Sequence, residues 1–212
     1  MSVPSFGPPM GAAASVARAL SSAALTALAL LASGCLLLSQ PDHETPPQTA
    51  PYLIASAASP SQLQVVYIHK EDVFLDFGAA VLSEDNSVDV EIALYLDYGT
   101  RNSAGRPYWD REYPFEAIEA GTMAEGQRPF VRRWFLGSSS VTAGCHTLTM
   151  VASHAFDVDV CPADPKDMSS LTWQLIKCDP DDPSCPTSCP ELACAASKCP
   201  SCADFNPGGE AQ

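Results

Sequence analysis

The stretch Val88-Asp89-Val90-Glu91-Ile92-Ala93-Leu94-Tyr95-Leu96-Asp97-Tyr98 decides the fold of this chain. In an extended backbone its apolar side chains share one face: Val88, Val90, Ile92, Leu94 and Leu96. The opposite face carries Asp89, Glu91, Tyr95 and Asp97. Strict alternation over this length is typical of an antiparallel strand with one face in a core and one in water. The residues ahead of it, Glu84 to Ser87, have turn chemistry.

Similar short patterns surround this strand. They lie at residues 63–68, 73–81, 113–118, 130–136, 145–153 and 171–178. About seven short strands without a long amphipathic helix predict an all-β, antiparallel β-sandwich. The segment Ala143-Gly144-Cys145-His146-Thr147-Leu148-Thr149 resembles the penultimate strand of bacterial immunoglobulin-like domains, where a Gly-X-His/Tyr start is common. That resemblance implies an immunoglobulin-like sandwich.

The last two predicted strands are expected to pair in antiparallel fashion. If Leu148 lies opposite Leu175, then Cys145 lies opposite Cys178 on the other face of the sheet. Opposed Cα atoms in such strands are about 4.5–5.5 Å apart, within the range of roughly 4.4–6.8 Å that a disulfide spans. The sequence therefore predicts a Cys145–Cys178 disulfide, and Cys161 is expected to find a partner in the tail.

Nine cysteines are present, and all but Cys35 lie in the C-terminal third. These eight are Cys145, Cys161, Cys178, Cys185, Cys189, Cys194, Cys199 and Cys202. An even number is typical of a disulfide framework in an oxidising compartment. The Cys199-Pro200-Ser201-Cys202 pair leaves two alternatives open, metal binding and redox cycling. Zinc needs reduced thiols, which an exported location opposes, and a redox pair is expected to precede a helix in an α/β fold, which this pattern does not predict. Disulfides are therefore favoured, and no metal or cofactor site is predicted.

An uncharged apolar run from Ala19 to Ala32 precedes Cys35. It is shorter than the roughly 20 residues of a membrane-spanning helix, although a retained anchor is the alternative. The sequence Leu31-Ala32-Ser33-Gly34-Cys35 resembles the lipobox of bacterial lipoproteins. That resemblance implies a signal peptide cut before Cys35 and a lipid on this cysteine. The signal starts at either Met1 or Met10. Leu36 in place of Asp implies the outer membrane of a Gram-negative bacterium.

Four regions follow from these patterns. Residues 1–34 are the lipoprotein signal peptide, and residues 35–62 are the lipid anchor with a Pro-rich tether. Residues 63–178 are the β-sandwich domain, and residues 179–212 are a Cys/Pro-rich tail. This arrangement is similar to uncharacterised lipoproteins of myxobacteria and their relatives.

The net charge of the chain limits the classes of partner it is expected to bind. The chain has 11 basic and 25 acidic side chains, a net charge of −14. Such a surface repels the phosphates of nucleic acid, so no nucleic-acid partner is expected. The expected contacts are the membrane, through lipid on Cys35, and an unknown protein of the cell envelope.

Catalytic chemistry has little support in the sequence. No G-x-S-x-G elbow is present, and the four histidines (His43, His69, His146 and His154) lack metal spacing. Two acidic pairs, Asp157 with Asp159 and Asp181 with Asp182, are interpreted as loop acids, with calcium as the alternative. The cluster of Arg128, Arg132 and Arg133 beside Trp134 is expected on a solvated sheet face, with an interaction patch as the alternative.

We therefore expect a non-catalytic, lipid-anchored protein of the cell envelope that acts as a binding or structural module. The alternative is an accessory subunit of a secretion, transport or exported-enzyme complex. An enzyme would require acids and His146 to gather in one pocket.

Overall fold

The computed structural model describes residues 46–136, 141–178, 183–189 and 202. Its strands are β1 (Tyr52–Leu53), β2 (Val66–Ile68), β3 (Phe74–Leu82), β4 (Glu91–Leu96), β5 (Asp110–Glu112), β6 (Arg128–Phe135), β7 (Gly144–Ser153) and β8 (Met168–Lys177). Two 3-10 turns occur at Ala55–Ala57 and Met123–Glu125. Within the described residues, no helix has the length and apolar character needed to cross a bilayer.

The strands form two sheets, in the orders β1-β3-β6 and β2-β8-β7-β4-β5. All pairings are antiparallel except the parallel pair of β2 and β8. The strands β8 and β7 lie beside β4 and β5, as the last two strands do in the larger sheet of variable-type immunoglobulin domains. The expected all-β, immunoglobulin-like sandwich is confirmed.

The core lies between the two sheets. The inner face of β4 is fully buried there: Val90, Ile92, Leu94 and Leu96 are at most 1 % exposed. Trp173 of β8 packs against Phe77 of β3, with ring centroids 5.1 Å apart. From Val90 to Leu96, the apolar face predicted for this strand is thus the face that joins the sheets. Val88, predicted on the same face, lies ahead of β4 and is 43 % exposed.

The outer face of β4 differs from the expectation of a solvated surface. Ala93 and Tyr95 have no exposed area, and they form a second apolar cluster with Tyr108, Val151 and Val160. The segment that follows β7 folds back over this face, and the Tyr95 hydroxyl donates a hydrogen bond to the Val160 carbonyl. Alternation identified the strand, but the covering loop removes the water that the outer face was expected to meet.

The folded domain also begins earlier than predicted. Pro51 and Leu53 are buried, and Leu53 pairs with Val81 of β3. Ser59 bridges to Gly78 further along the same strand. Part of the predicted 35–62 tether therefore belongs to the sandwich, because short apolar residues between its prolines pack on β3. Residues 35–45 lie outside the described part.

The pairing of β7 with β8 corrects the predicted register. Leu148 lies opposite Trp173, and Cys145 lies opposite Ile176. The observed register is displaced by two residues from the prediction. A displacement by two keeps every side chain on its predicted face, since faces repeat every second residue, so the apolar pattern alone did not exclude it.

Candidate functional site

Three disulfides join the cysteines that the structure describes. They are Cys145–Cys189, Cys161–Cys202 and Cys178–Cys185, with Cα–Cα distances of 5.6, 5.4 and 5.7 Å. The predicted Cys145–Cys178 bond is wrong, because the two-residue displacement moves Cys178 past the end of β8 and away from Cys145. The expectation that Cys161 pairs with the tail is confirmed. Cys35, Cys194 and Cys199 lie outside the described residues.

The bonds tie the C-terminal tail to the larger sheet. Cys145 at the start of β7 holds Cys189, and Cys161 in the β7–β8 loop holds Cys202. The backbone N–H of Cys202 also donates to the Tyr98 hydroxyl at 3.0 Å. Several disulfides of this kind are consistent with an exported protein.

One end of the sandwich carries a buried network of charged groups centred on Asp85, which we call the polar end. Asp85 follows β3 and has no exposed area. Its carboxylate lies 2.6 Å from the Arg128 guanidinium and 3.0 Å from Nε2 of His154. The backbone N–H of Gly121 donates to it at 2.9 Å. Asp167, just ahead of β8, lies 2.8 Å from Nδ1 of the same histidine.

The ends of four strands bring this network together. Burial by itself raises the pKa of Asp85. Hydrogen bonds from Ser83, Gly121 and His154, with the charge of Arg128, outweigh burial and hold the pKa of Asp85 below its usual range. A buried carboxylate with this many donors is a stable anion. Sequence reasoning missed the network, because Asp85 sits in a segment whose composition is that of an ordinary turn.

A second histidine link joins β7 to the end of β4. Nδ1 of His146 lies 2.7 Å from Asp97, and its Nε2 lies 3.0 Å from the Thr142 carbonyl. The hydrogen bond to Asp97 raises the pKa of His146, although burial opposes it. His146 and His154 thus occupy separate ionic links in the described structure. Among the described residues, the carboxylate paired with His146 is that of Asp97, at the end of β4.

The three arginines of β6 do not form one basic patch. Arg128 and Arg132 lie on the inner side, where they donate to the carbonyls of Glu119 and Glu116. Arg133 lies on the outer face and pairs with Asp76 at 2.8 Å. The alternation of strand faces separates neighbours in sequence, so neither predicted version of the cluster describes all three side chains.

The side chains of Asp157 and Asp159 form hydrogen bonds and an ion pair that stabilise the β7–β8 loop. Asp157 accepts the N–H groups of Asp159 and Cys161, and Asp159 pairs with Arg106 at 3.0 Å. Across the described ranges, no three His, Cys, Asp or Glu side chains are placed to hold a metal ion. The Asp181–Asp182 pair lies outside those ranges.

The opposite end of the sandwich holds a cavity of about 490 Å³, which we call the end cavity. It lies where β2 and β8 end and where β3 begins. Ile68 and Leu136 form its floor, and both belong to the core between the sheets. Lys70 and Lys177 stand at its sides. The polar end holds a network of buried charges, whereas this end holds a cavity lined in part by core side chains.

The outer face of the smaller sheet exposes apolar area. Phe74, Val131 and Phe135 are 41, 59 and 45 % exposed. The Arg133 guanidinium lies 3.8 Å above the Phe74 ring, so the aromatic surface and the Arg133–Asp76 pair are adjacent. Exposed apolar groups framed by charges are common where proteins meet partners.

Comparisons with known proteins give weak similarities only. No family model and no curated protein matches this chain. One similar solved structure is the alkylpurine DNA glycosylase AlkC of Pseudomonas fluorescens, bound to DNA that contains an abasic-site analogue. It has 12 % identity and a TM-score of 0.35, and the match covers 60 % of this chain but only 30 % of the glycosylase. Another is the CARDB domain of the PF1109 protein from Pyrococcus furiosus, in complex with di-metal ions. It has 10 % identity and a TM-score of 0.30, covering 63 % of this chain and 90 % of that domain.

Proposed function

We propose that this chain is an exported, lipid-anchored protein of the cell envelope that acts as a non-catalytic binding or structural module. The lipid is carried by Cys35 at the end of the lipobox-like segment. The Pro-rich residues that follow act as a tether to the stapled sandwich. The outer membrane of a Gram-negative bacterium is the proposed location, since Leu36 rather than Asp follows the cysteine.

The disulfides are the observation that carries this proposal. Six cysteines of the described residues pair with each other, and such bonds persist in oxidising compartments rather than in the cytosol. Export needs a signal, and the lipobox-like segment supplies one. A single acyl chain gives only marginal membrane binding, so stable anchoring takes more than one chain.

Intact mass spectrometry of the membrane-extracted full chain tests the proposal. We expect a chain that begins at Cys35 and carries acyl chains. Thiol alkylation should label no cysteine before reduction and eight after it. The matched control is Cys35→Ser, which should abolish the acyl mass. A full-length chain without acyl groups, or free thiols in the native protein, would contradict the proposal.

The outer face of the smaller sheet favours a second candidate, an accessory subunit of a secretion, transport or exported-enzyme complex. Phe74, Val131 and Phe135 offer an apolar contact area beside Arg133. If this face holds a protein partner, Val131→Lys should reduce the native size of the detergent-extracted protein. The control Val158→Lys changes another exposed valine (93 % exposed) in the β7–β8 loop. Equal native sizes for all three proteins would argue against the accessory role.

A further inference from the structure

We propose that the end cavity binds a monoanionic amphiphile, a small molecule with an apolar body and one carboxylate head of the fatty-acid type. The cavity volume of about 490 Å³ falls within the roughly 300–1,000 Å³ of small-molecule sites. The inference rests on the geometry of this end of the sandwich and does not depend on the lipid anchor.

The floor of the cavity selects an apolar body. Ile68 and Leu136 close the bottom and are 1 and 9 % exposed, as members of the core between the sheets. Val73 also lines the cavity and is 64 % exposed. An alkyl chain in this cavity removes its own apolar surface and part of that of Val73 from water, which is the main favourable contribution to such binding.

The sides of the cavity select an anionic head. Two of the four lysines of the chain, Lys70 and Lys177, line it. Lys70 is exposed and makes no hydrogen bond or ion pair within the part of the chain that the structure describes. The Lys177 ammonium donates to the Val141 carbonyl at 2.7 Å, which leaves two of its three N–H donors for a ligand. A carboxylate between these groups would accept charge-assisted hydrogen bonds.

The local balance of charge supports the same choice. His69 also lines the cavity, and Asp72 is the acid that lines it. One Asp72 oxygen already accepts the backbone N–H of His69 at 2.8 Å. Glu71 lies next in sequence and is exposed. Among the described lining residues, two lysines against one acid stand out in a chain of net charge −14. A cationic amphiphile would be repelled here, and a neutral one would leave the ammonium groups unused.

Photolabelling of the full chain tests the proposal. The probe is a decanoate with a diazirine on its alkyl chain, applied to membranes or to whichever fraction holds the protein, and mapped by peptide mass spectrometry. We expect labels on residues 68–73, 136 and 143. Decanoate should compete for labelling, whereas decanol and decyltrimethylammonium should not. Labels spread evenly over the chain, or equal competition by all three amphiphiles, would overturn the proposal.

Two variants separate charge from volume. Lys70→Gln should weaken competition by decanoate about tenfold, as expected for the loss of one charge-assisted hydrogen bond. Its matched control is Lys166→Gln, an exposed lysine ahead of β8 at the polar end, which should change nothing. Ala143→Trp fills the cavity from an exposed position and should abolish labelling. Unchanged labelling in Ala143→Trp, or equal effects of both lysine variants, would refute the assignment.

Discussion

The two ends of the sandwich place their charged side chains in opposite surroundings. At the polar end, Asp85 is fully buried and its carboxylate meets Arg128, His154 and Gly121. At the other end, Lys70 stands without a partner among the described residues, above a floor of core side chains. A buried carboxylate that accepts several hydrogen bonds connects the strand ends to one another. Exposed ammonium groups beside apolar side chains are instead free to bind a ligand. We infer that the first end serves stability and the second serves binding.

The largest difference between the ends is expected from their disulfides. Cys161–Cys202 joins the β7–β8 loop at the polar end to a cysteine 41 residues away, whereas Cys178–Cys185 spans only 7 residues after β8. Loop-closure entropy gives about 4 kcal/mol for the longer loop and about 2 kcal/mol for the shorter one. The double variant Cys161→Ser/Cys202→Ser should therefore lose more free energy of unfolding than Cys178→Ser/Cys185→Ser.

Urea unfolding followed by tryptophan fluorescence measures both double variants, because Trp134 and Trp173 are buried. Each double variant serves as the control for the other, since each removes one disulfide and adds two serines. A larger loss for Cys178→Ser/Cys185→Ser would mean that the short loop, and not the covering of β4, holds the domain together.

The next largest effect is expected at Asp85. Asp85→Asn keeps the shape of the side chain but removes the charge that Arg128 and His154 face. Breaking a buried ion pair by removing one partner costs about 3–5 kcal/mol. We expect the lower end of that range, since the Arg128 side chain retains 17 % exposure. Urea unfolding midpoints at pH 7 check this prediction. A midpoint equal to that of the parent protein would show that the Asp85 network does not contribute to stability.

Low pH should remove the contribution of Asp85 to the free energy of unfolding. The pKa of Asp85 is lowered in the folded protein from a usual value of 3.8. The folded state therefore holds its proton less tightly than the unfolded state, and stability falls as the pH drops through the folded pKa. The difference in unfolding free energy between the parent and Asp85→Asn should be full above about pH 4 and should shrink below it. A constant difference from pH 7 to pH 2 would show that the charge of Asp85 is not its source.

The sequence predicted six of the eight strands in the described residues but not their pairing. It missed β1, and it placed a strand at 113–118, where the structure has only an isolated bridge at Ile118 and β5 ends before it, at Glu112. Alternation placed Leu148 and Met150 on the inner face, and the structure agrees. It did not distinguish Leu148 opposite Leu175 from Leu148 opposite Trp173, because both registers bury the same residues. In the observed register Trp173 lies opposite Leu148 and packs on Phe77 of the other sheet, a contact between elements far apart in sequence that no local pattern reveals. The wrong disulfide followed directly from the wrong register.

Neither the Asp85 network nor the end cavity could be predicted from the sequence. The groups around Asp85 come from positions 121, 128 and 154, and no local pattern links them. The end cavity likewise joins position 68 with positions 136 and 177. Both features depend on which strand ends meet, which is a property of topology. The burial of Tyr95 has the same origin, because the loop that covers it begins more than 50 residues later.

A smaller effect, of opposite sign in pH, is expected at His146. Its hydrogen bond to Asp97 raises its pKa above the usual 6.5. The folded state therefore binds the proton more tightly than the unfolded state. This stability is fully present below about pH 6.5 and is lost as the pH rises through the folded pKa. His146→Gln should remove that decline between pH 6 and 9 in urea unfolding. If the decline persists in His146→Gln, another group is responsible.

The smallest effect is expected at the exposed pair on the outer face. Asp76 and Arg133 form a bidentate pair, at 2.8 and 3.0 Å, with side chains 42 and 47 % exposed. The hydrogen bond from Arg133 lowers the pKa of Asp76, but water screens such an exposed pair, so its contribution to stability is small. Asp76→Asn should therefore shift the urea midpoint far less than Asp85→Asn, although both changes remove one carboxylate charge facing one arginine. Equal shifts would mean that burial is not what separates the two pairs, and the contrast drawn for the polar end would fail.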